Sequence, residues 1–213
     1  MKTAYWIGAY MCLAVSCVTQ KPRPCRAPPL FEGSLIATSQ NEDFMIYAQY
    51  SYDALGKRIR LQKTMNSANE TTHTDALLLF RKHTVYLINH DEQSCKKKRM
   101  NSTFHPLEVP KQASFLSQIV LGSLSGPGEG LLVNNWYGES PCKKVKYLMT
   151  VTEFGCLPVG VHYRTNRTGL ITSSFFNIAR GIKDPGVFIP PSFCEDADVD
   201  VSDDSEDFYS ILF

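Results

Sequence analysis

The sequence lacks the short motifs that mark most enzyme and cofactor sites. It has no HExxH, GxSxG, GxGxxG or GxxxxGK[ST] spacing and no CxxC pair, and its five histidines are scattered with no two at positions i and i+4. Zinc sites, reactive dithiols, serine hydrolase elbows and phosphate-binding loops are therefore not indicated. We predict a protein that is not an enzyme, with no catalytic residue, no metal-ligating set and no cofactor held by the polypeptide itself.

Long apolar runs are also missing, since no stretch reaches the roughly 20 residues that a membrane-spanning helix needs. The longest such run, residues 4–15, follows Lys2 and ends in the small residues Ala14, Val15 and Ser16. A charged start, a short apolar run and a small-residue cleavage site are typical of a secretory signal peptide. We predict a signal peptide at residues 1–17 and a secreted, extracellular protein without a transmembrane anchor.

The formal charge of +1 hides an asymmetry along the chain. Residues 195–207 contain eight acidic and no basic residues, so the rest carries 22 Lys and Arg against 21 − 8 = 13 acidic residues. We predict one β domain over residues 18–194 and a disordered acidic tail over residues 195–213. The tail begins like a calcium-binding EF-hand loop, but Val201 and Asp207 stand where that loop needs Gly and Glu. Nucleic acid is excluded as a partner, because no basic stripe is interleaved with aromatic residues.

Five of the seven cysteines lie beyond the signal region, at positions 25, 95, 142, 156 and 194. Any four of them can form two bridges in about three ways, and the fifth is then free or pairs between chains. Cys95 precedes a run of four basic residues, whereas Cys194 precedes Glu195 and an aspartate. A bridge between these two would place opposite charges side by side, which is a weak preference worth about 0–1 kcal/mol per ion pair.

Short alternating segments separated by turns follow one another through the chain. Residues 44–52 place Ile46, Ala48 and Tyr50 on one side, and residues 144–152 do the same with Val145, Tyr147, Met149 and Val151. Hairpins are predicted between residues 44–52 and 58–62, 75–80 and 84–89, and 117–124 and 131–137, with later strands at 159–163 and 169–176. We expect a mainly β fold, a sandwich or curved half-barrel of two antiparallel sheets, with few short helices; residues 105–116 are one helix candidate.

Three N-glycosylation sequons begin at Asn69, Asn101 and Asn166, each in a polar stretch between apolar runs. A glycan attached there could stay in water, so we expect a glycoprotein.

One late segment, residues 174–194, contains four phenylalanines and three prolines and ends at Cys194. Together with the segments 25–33 (CRAPPLFEG) and 151–159 (VTEFGCLPV), it resembles the ependymins, secreted glycoproteins of fish brain and cerebrospinal fluid with relatives in other animals. The similarity covers residues 25–194, and residues 131–136 (LLVNNW) resemble the fish members more than the mammalian ones.

The resemblance implies two antiparallel sheets curved around a deep apolar pocket, similar to bacterial periplasmic lipoprotein carriers. It implies the disulfides Cys25–Cys156 and Cys95–Cys194, and a disulfide-linked homodimer for which Cys142 is the candidate. It also implies calcium association through sialylated glycans, and a link to neural plasticity and axon regeneration.

Two hypotheses follow from these observations. The first is a carrier of a hydrophobic, lipid-like molecule, and its predicted pocket residues are Ile46, Ala48, Tyr50, Trp136, Val145, Tyr147, Met149 and Val151. The alternative interpretation is that these side chains only fill the core of the sandwich and line no pocket. The second hypothesis is a dimeric adhesion or signalling ligand that acts through its surface and glycans, with extracellular matrix as a possible partner. A hydrolase would need a carboxylate pair or a Ser–His pair that the fold brings together.

Overall fold

The structure, a computed structural model, describes residues 21–40, 45–67, 70–140, 145–165, 169–195, 197 and 199–200. In these residues the chain is mainly β, with three short 3₁₀ helices at Phe80–Lys82, Pro185–Phe188 and Ser192–Cys194, so the predicted fold class is confirmed. The strands are β1 Leu30–Ser39, β2 Met45–Asp53, β3 Arg58–Ser67, β4 Glu70–Leu79, β5 Thr84–Asn89, β6 Ser94–Arg99, β7 Ser114–Gly122, β8 Gly130–Ser140, β9 Val145–Thr152, β10 Pro158–Thr165, β11 Gly169–Arg180 and β12 Val199–Asp200.

All twelve strands belong to one sheet, in the order β12-β6-β5-β4-β3-β2-β1-β11-β10-β9-β8-β7. Neighbouring strands are antiparallel except β12, which pairs parallel to β6. The expectation of two separate sheets differs from the structure in this detail. Because the last long strand β11 returns to pair with β1, the strands β1–β6 and β7–β11 form one continuous ladder.

The three predicted hairpins form as β2–β3, β4–β5 and β7–β8. In β2, buried and exposed residues alternate as the sequence pattern predicts, with Ile46, Ala48 and Tyr50 buried and Tyr47 and Gln49 exposed. We call the side that carries Ile46, Ala48 and Tyr50 face A, and the side that carries Tyr47 and Gln49 face B.

A segment that joins β6 to β7, residues 100–113, crosses from one end of the strand order to the other on face A. Met100, Phe104 and Leu107 pack into the large core under β1–β5, and Val109 packs against Trp136 further along the sheet. Its backbone is held by Ala27 N–H donating to the Leu107 carbonyl and Val109 N–H donating to the Cys25 carbonyl, both at 2.9 Å. The predicted helix over residues 105–116 is wrong. Prolines at positions 106 and 110 disfavour a helix there, and these backbone groups bond to the N-terminal segment instead.

The C-terminal segment, residues 182–194, covers face B over β3–β6. Ile182, Val187, Phe188 and Phe193 pack against Leu77, Leu79, Tyr86 and Ile88 of β4 and β5. The Arg60 guanidinium donates to the Val187 carbonyl at 2.8 Å, and Arg58 lies 4.5 Å above the centre of the Phe188 ring. The apolar segment singled out in the sequence is therefore divided between the two sides, because it begins in β11 and ends on face B.

Both predicted disulfides are present and confirm the pairing that the resemblance implies. Cys25–Cys156 joins the N-terminal segment to the β9–β10 turn, and Cys95–Cys194 joins β6 to the end of the C-terminal segment. Cys142, Asn69, Asn166, the signal peptide at residues 1–17 and most of the predicted tail lie outside the described residues. Asn101 is exposed two residues after the end of β6, and Val199–Asp200 pairs with the basic residues Lys97 and Lys98.

Candidate ligand-binding face

One row of side chains crosses seven strands of face A in direct register. From β2 to β7 the row consists of Ile46, Ala37, Ser173, Val161, Met149, Trp136 and Phe115. The sequence analysis named three of these as pocket residues, Ile46, Met149 and Trp136. Ala48 and Tyr50 follow Ile46 on alternate positions of β2, as Val145, Tyr147 and Val151 do around Met149 on β9. The fold therefore brings all the predicted pocket residues to the same face of one sheet.

These residues differ in burial along the face. Ile46 and Ala48 are fully buried, and Tyr50, Trp136 and Val151 expose at most 3% of their surface. Val145, Tyr147 and Met149, by contrast, are half-buried. The buried members form part of the protein's own core, as the core-filling alternative expects, and their role in lining a pocket stays a prediction.

Three polar atoms on face A are buried without a hydrogen-bond partner in the part of the chain that the structure describes. They are the hydroxyls of Tyr50 and Tyr147 and the indole N–H of Trp136. Burial raises the pKa of Tyr50 and of Tyr147 above the ordinary tyrosine value, so both hydroxyls keep their protons at neutral pH. The hydroxyl of Tyr52, on the same face, instead accepts a hydrogen bond from Leu107 N–H at 3.0 Å.

Face B carries two shallow depressions that are open to solvent. The first, of about 370 Å³, lies over β2–β5, with Tyr47, Gln49, Gln62, Thr64, His73, Asp75, Ile88 and His90 among its lining residues. The second, of about 460 Å³, lies over β9–β11 and is lined by Lys146, Tyr147, Leu148, His162, Tyr163, Arg164 and Leu170. Of the predicted pocket residues, only Tyr147 borders either depression.

A buried ionic network joins face B to the C-terminal segment. The Asp75 carboxylate accepts from Arg60 Nε at 2.9 Å, from Arg60 Nη2 at 2.5 Å and from His90 Nε2 at 2.6 Å. Arg60 in turn donates to the Val187 carbonyl. In the described residues, His90 bonds to no serine or cysteine, and no cluster of three His, Cys, Asp or Glu side chains could hold a metal ion. The arrangement is that of a clamp between strands and the C-terminal segment.

Sequence reasoning missed several residues of face A. Phe31 and Leu35 of β1 are fully buried there, and Phe175 and Ile178 of β11 pack against the same core. Opposite Glu32 and Ser34 of β1, the partner strand β11 carries one extra residue between Phe176 and Ala179, which interrupts the alternation of β11. The crossing segment was also missed, although the apolar residues at positions 100, 104, 107 and 109 were a visible signal.

Together these features define a mainly β protein with two internal disulfides, built on one long open sheet whose face A carries the core. Residues 68–194 match the family model described as Ependymin. The chain is 32% identical over 204 residues to Ependymin-2 of Carassius auratus, covering 95% of this chain and 94% of that protein. It is 31% identical to Ependymin of Notemigonus crysoleucas, with the same coverage. The chain belongs to the ependymin family.

Solved structures give a more distant likeness. A crystal structure of an uncharacterized conserved protein from Thermus thermophilus aligns with a TM-score of 0.52 at 9% identity, covering 85% of this chain and 91% of that one. The two proteins therefore share a fold. A LolA superfamily protein from Nitrosomonas europaea aligns over 78% of this chain and 92% of its own at 7% identity, but its TM-score of 0.36 is too low to support a conclusion. Among the described residues, no helix is long and apolar enough to cross a membrane.

Proposed function

We propose that the protein is a secreted, extracellular carrier that binds a hydrophobic, lipid-like molecule against face A. The observation that carries this proposal is the register row from Ile46 to Phe115, which crosses seven strands on one face and is apolar or aromatic at every position except Ser173. Large apolar surfaces shared by many strands are typical of β proteins that enclose ligands.

The ligand would contact face A first at β9, where Val145, Tyr147 and Met149 are half-buried. A molecule that buries about 300 Å² of apolar surface there gains roughly 7 kcal/mol before the cost of association. The crossing segment closes the same face over β1–β3, because Met100 is fully buried and Phe104 stacks on Tyr52.

Secretion and glycosylation complete the proposal. Both disulfides are of the kind that persists in oxidising compartments, which supports an extracellular location. The exposed position of Asn101 is accessible to a glycan. We assign calcium association to sialylated glycans on the sequons, and we carry the family's link to neural plasticity and axon regeneration as part of the proposed role.

Two neighbouring residues on β9 test the carrier function, because they lie on opposite faces. Met149→Lys places a charge on face A, and Leu148→Lys places the same charge on face B. We expect Met149→Lys to weaken binding of a polarity-sensitive naphthylamine dye to the delipidated protein by tenfold or more, and Leu148→Lys to leave it unchanged. Equal binding by both variants, with folding checked by circular dichroism, would contradict a ligand site on face A.

A second candidate function is that of a dimeric adhesion or signalling ligand. It is favoured by exposed apolar side chains on face B of β1 and β2, outside the region over β3–β6 that the C-terminal segment covers. Ile36 and Tyr47 on face B are each 37% exposed, and the Tyr47 and Phe176 rings lie 6.3 Å apart. Exposed apolar groups of this kind are common at protein interfaces. Cys142 is our candidate for a covalent link between the two chains.

Cys142→Ser separates the two functions. A signalling dimer should lose activity in this variant, whereas a carrier should retain its ligand. Native mass spectrometry of the secreted protein under non-reducing conditions reports the oligomer, the glycans and any retained ligand together. A purely monomeric wild-type species would contradict the covalent dimer.

A further inference from the structure

Two tyrosines of face A, the buried Tyr50 and the half-buried Tyr147, each lie directly over a glycine on the neighbouring strand. Tyr50 is opposite Gly33, and Tyr147 is opposite Gly138. A Cβ atom would stand only 2.7 Å from the Tyr50 hydroxyl at Gly33, and 2.6 Å from the Tyr147 hydroxyl at Gly138. The glycines therefore leave the room in which the two tyrosine side chains lie flat along the sheet.

A phenylalanine ring would cover each glycine equally well, so packing alone does not explain the hydroxyls. A buried hydroxyl without a partner is unfavourable, and native proteins contain few of them. Tyr52 shows the ordinary solution in this same protein, since its hydroxyl accepts from Leu107 N–H. The hydroxyls of Tyr50 and Tyr147 have no such partner among the described residues.

The third atom without a partner among the described residues, Trp136 Nε1, is on the strand next to Tyr147 and on the same face of the sheet. Trp136 pairs with Met149 and Gly138 pairs with Tyr147, so the indole and the phenol lie on adjacent strands of face A. An indole N–H can only donate a hydrogen bond, and a protonated phenol donates as well. Both groups are uncharged, and Lys63, a cation of the same face, already has a partner in the structure.

We infer that the ligand of face A carries a neutral oxygen acceptor, such as the carbonyl of an acyl ester, which Trp136 and Tyr147 bind by donating hydrogen bonds. Tyr50 offers a further donor on the β2 side of the same face. A bare hydrocarbon would leave the donors of Trp136 and Tyr147 unpaired, and an ionised carboxylate would place a charge among uncharged donors in an apolar site, which is costly. This inference rests on the proposed carrier function and names the chemical class of its ligand.

The experiment compares methyl palmitate with an alkane of the same chain length, each displacing the naphthylamine dye from delipidated protein. Wild-type protein is expected to bind the ester about tenfold more tightly, the range that one or two added hydrogen bonds supply. Tyr147→Phe should reduce this ester preference, measured as the ratio of the ester and alkane affinities of the same variant, severalfold. An ester preference in Tyr147→Phe equal to that of wild type would overturn the inference.

Tyr52→Phe is the matched control, because it removes a hydroxyl from face A that already has a partner under the crossing segment. It should keep the ester preference while lowering the melting temperature, whereas Tyr50→Phe should not lower the melting temperature. Wild-type protein that binds ester and alkane equally would contradict this inference and leave the carrier function standing. Wild-type protein that binds neither would overturn the carrier function and this inference with it.

Discussion

The two halves of the sheet are packed very differently, although they share one ladder. In the N-terminal half, β1–β6, face A forms a core around residues such as Leu35 and Leu61, and β4 and β5 are buried on face B as well. In the C-terminal half, β7–β11, the buried cluster is small and centres on Trp136 and Val151. Most residues of β7 and β9 are exposed or half-buried.

We interpret the densely packed N-terminal half as a scaffold and the loosely packed C-terminal half as an adaptable region. Segments with few buried apolar contacts open locally at low free-energy cost, whereas densely packed ones open only with the whole domain. We therefore expect the proposed ligand face to adapt its shape at β9 more readily than at β1–β4. The two long segments reinforce this asymmetry, since residues 100–107 and 182–194 both pack on the N-terminal half.

Removing a disulfide gives the largest expected effect and tests whether the two halves unfold together. Cys95–Cys194 and Cys25–Cys156 close loops with sequence separations of 99 and 131 residues. Since loop entropy changes slowly with length, each double alanine variant should lose about 4–5 kcal/mol of unfolding free energy. Urea unfolding, followed by fluorescence and by circular dichroism, measures the unfolding free energy of each variant. A single coincident transition in each variant indicates one cooperative unit, and two transitions would separate the halves.

Asp75→Asn should have the next largest effect, because it breaks the clamp on the C-terminal segment. Arg60 would lose the carboxylate that it binds through two nitrogens, and its side chain is only 12% exposed. Breaking a buried ion pair costs about 3–5 kcal/mol. The matched control is Asp53→Asn, since its partner Arg58 is 37% exposed, and we expect a smaller loss there. Equal losses of unfolding free energy would contradict a special role for the clamp.

A pair of core truncations measures the packing difference directly. Leu61→Ala removes a fully buried side chain of the N-terminal half and should cost about 3 kcal/mol. Met149→Ala removes a half-buried side chain of the C-terminal half, and we expect about 1 kcal/mol, because surrounding groups and water fill the space. The chemical denaturation midpoint at constant slope gives both values. If Met149→Ala costs as much as Leu61→Ala, then the C-terminal half is packed as tightly as the scaffold.

Much of this contrast was predictable from sequence, and its limits have physical causes. Alternation in β2 and β9 indicated which side chains share a face, because the side-chain period of a strand is fixed at two residues. Alternation does not say which strands become neighbours, so the β1–β11 pairing that merges the predicted sheets was missed. The crossing segment was not predicted for the same reason, because the strand order could not be derived from the sequence. Its path follows only once β6 and β7 are known to lie far apart in the sheet.

The unpaired hydroxyls were beyond sequence reasoning for a different reason. Tyr50 and Tyr52 lie two residues apart on one strand and face, and both are nearly fully buried. The Tyr52 hydroxyl has a partner because Leu107 of the crossing segment approaches it, whereas the Tyr50 hydroxyl has none among the residues that the structure describes. Such a distinction depends on contacts between residues 55 positions apart.

The smallest expected effect concerns the two edges of the sheet. At one edge, β6 carries four basic residues and pairs with β12, whereas β7 at the other edge has no charged residue over Ser114–Gly122. Charged side chains on edge strands oppose pairing between molecules. Ile119 is 40% exposed on face B, so Ile119→Lys should change the unfolding free energy by less than about 0.5 kcal/mol. It should also raise the concentration at which light scattering detects non-covalent association. A loss above about 1.5 kcal/mol would mean that face B of β7 is covered, and that the C-terminal half is less open than its neighbouring strands indicate.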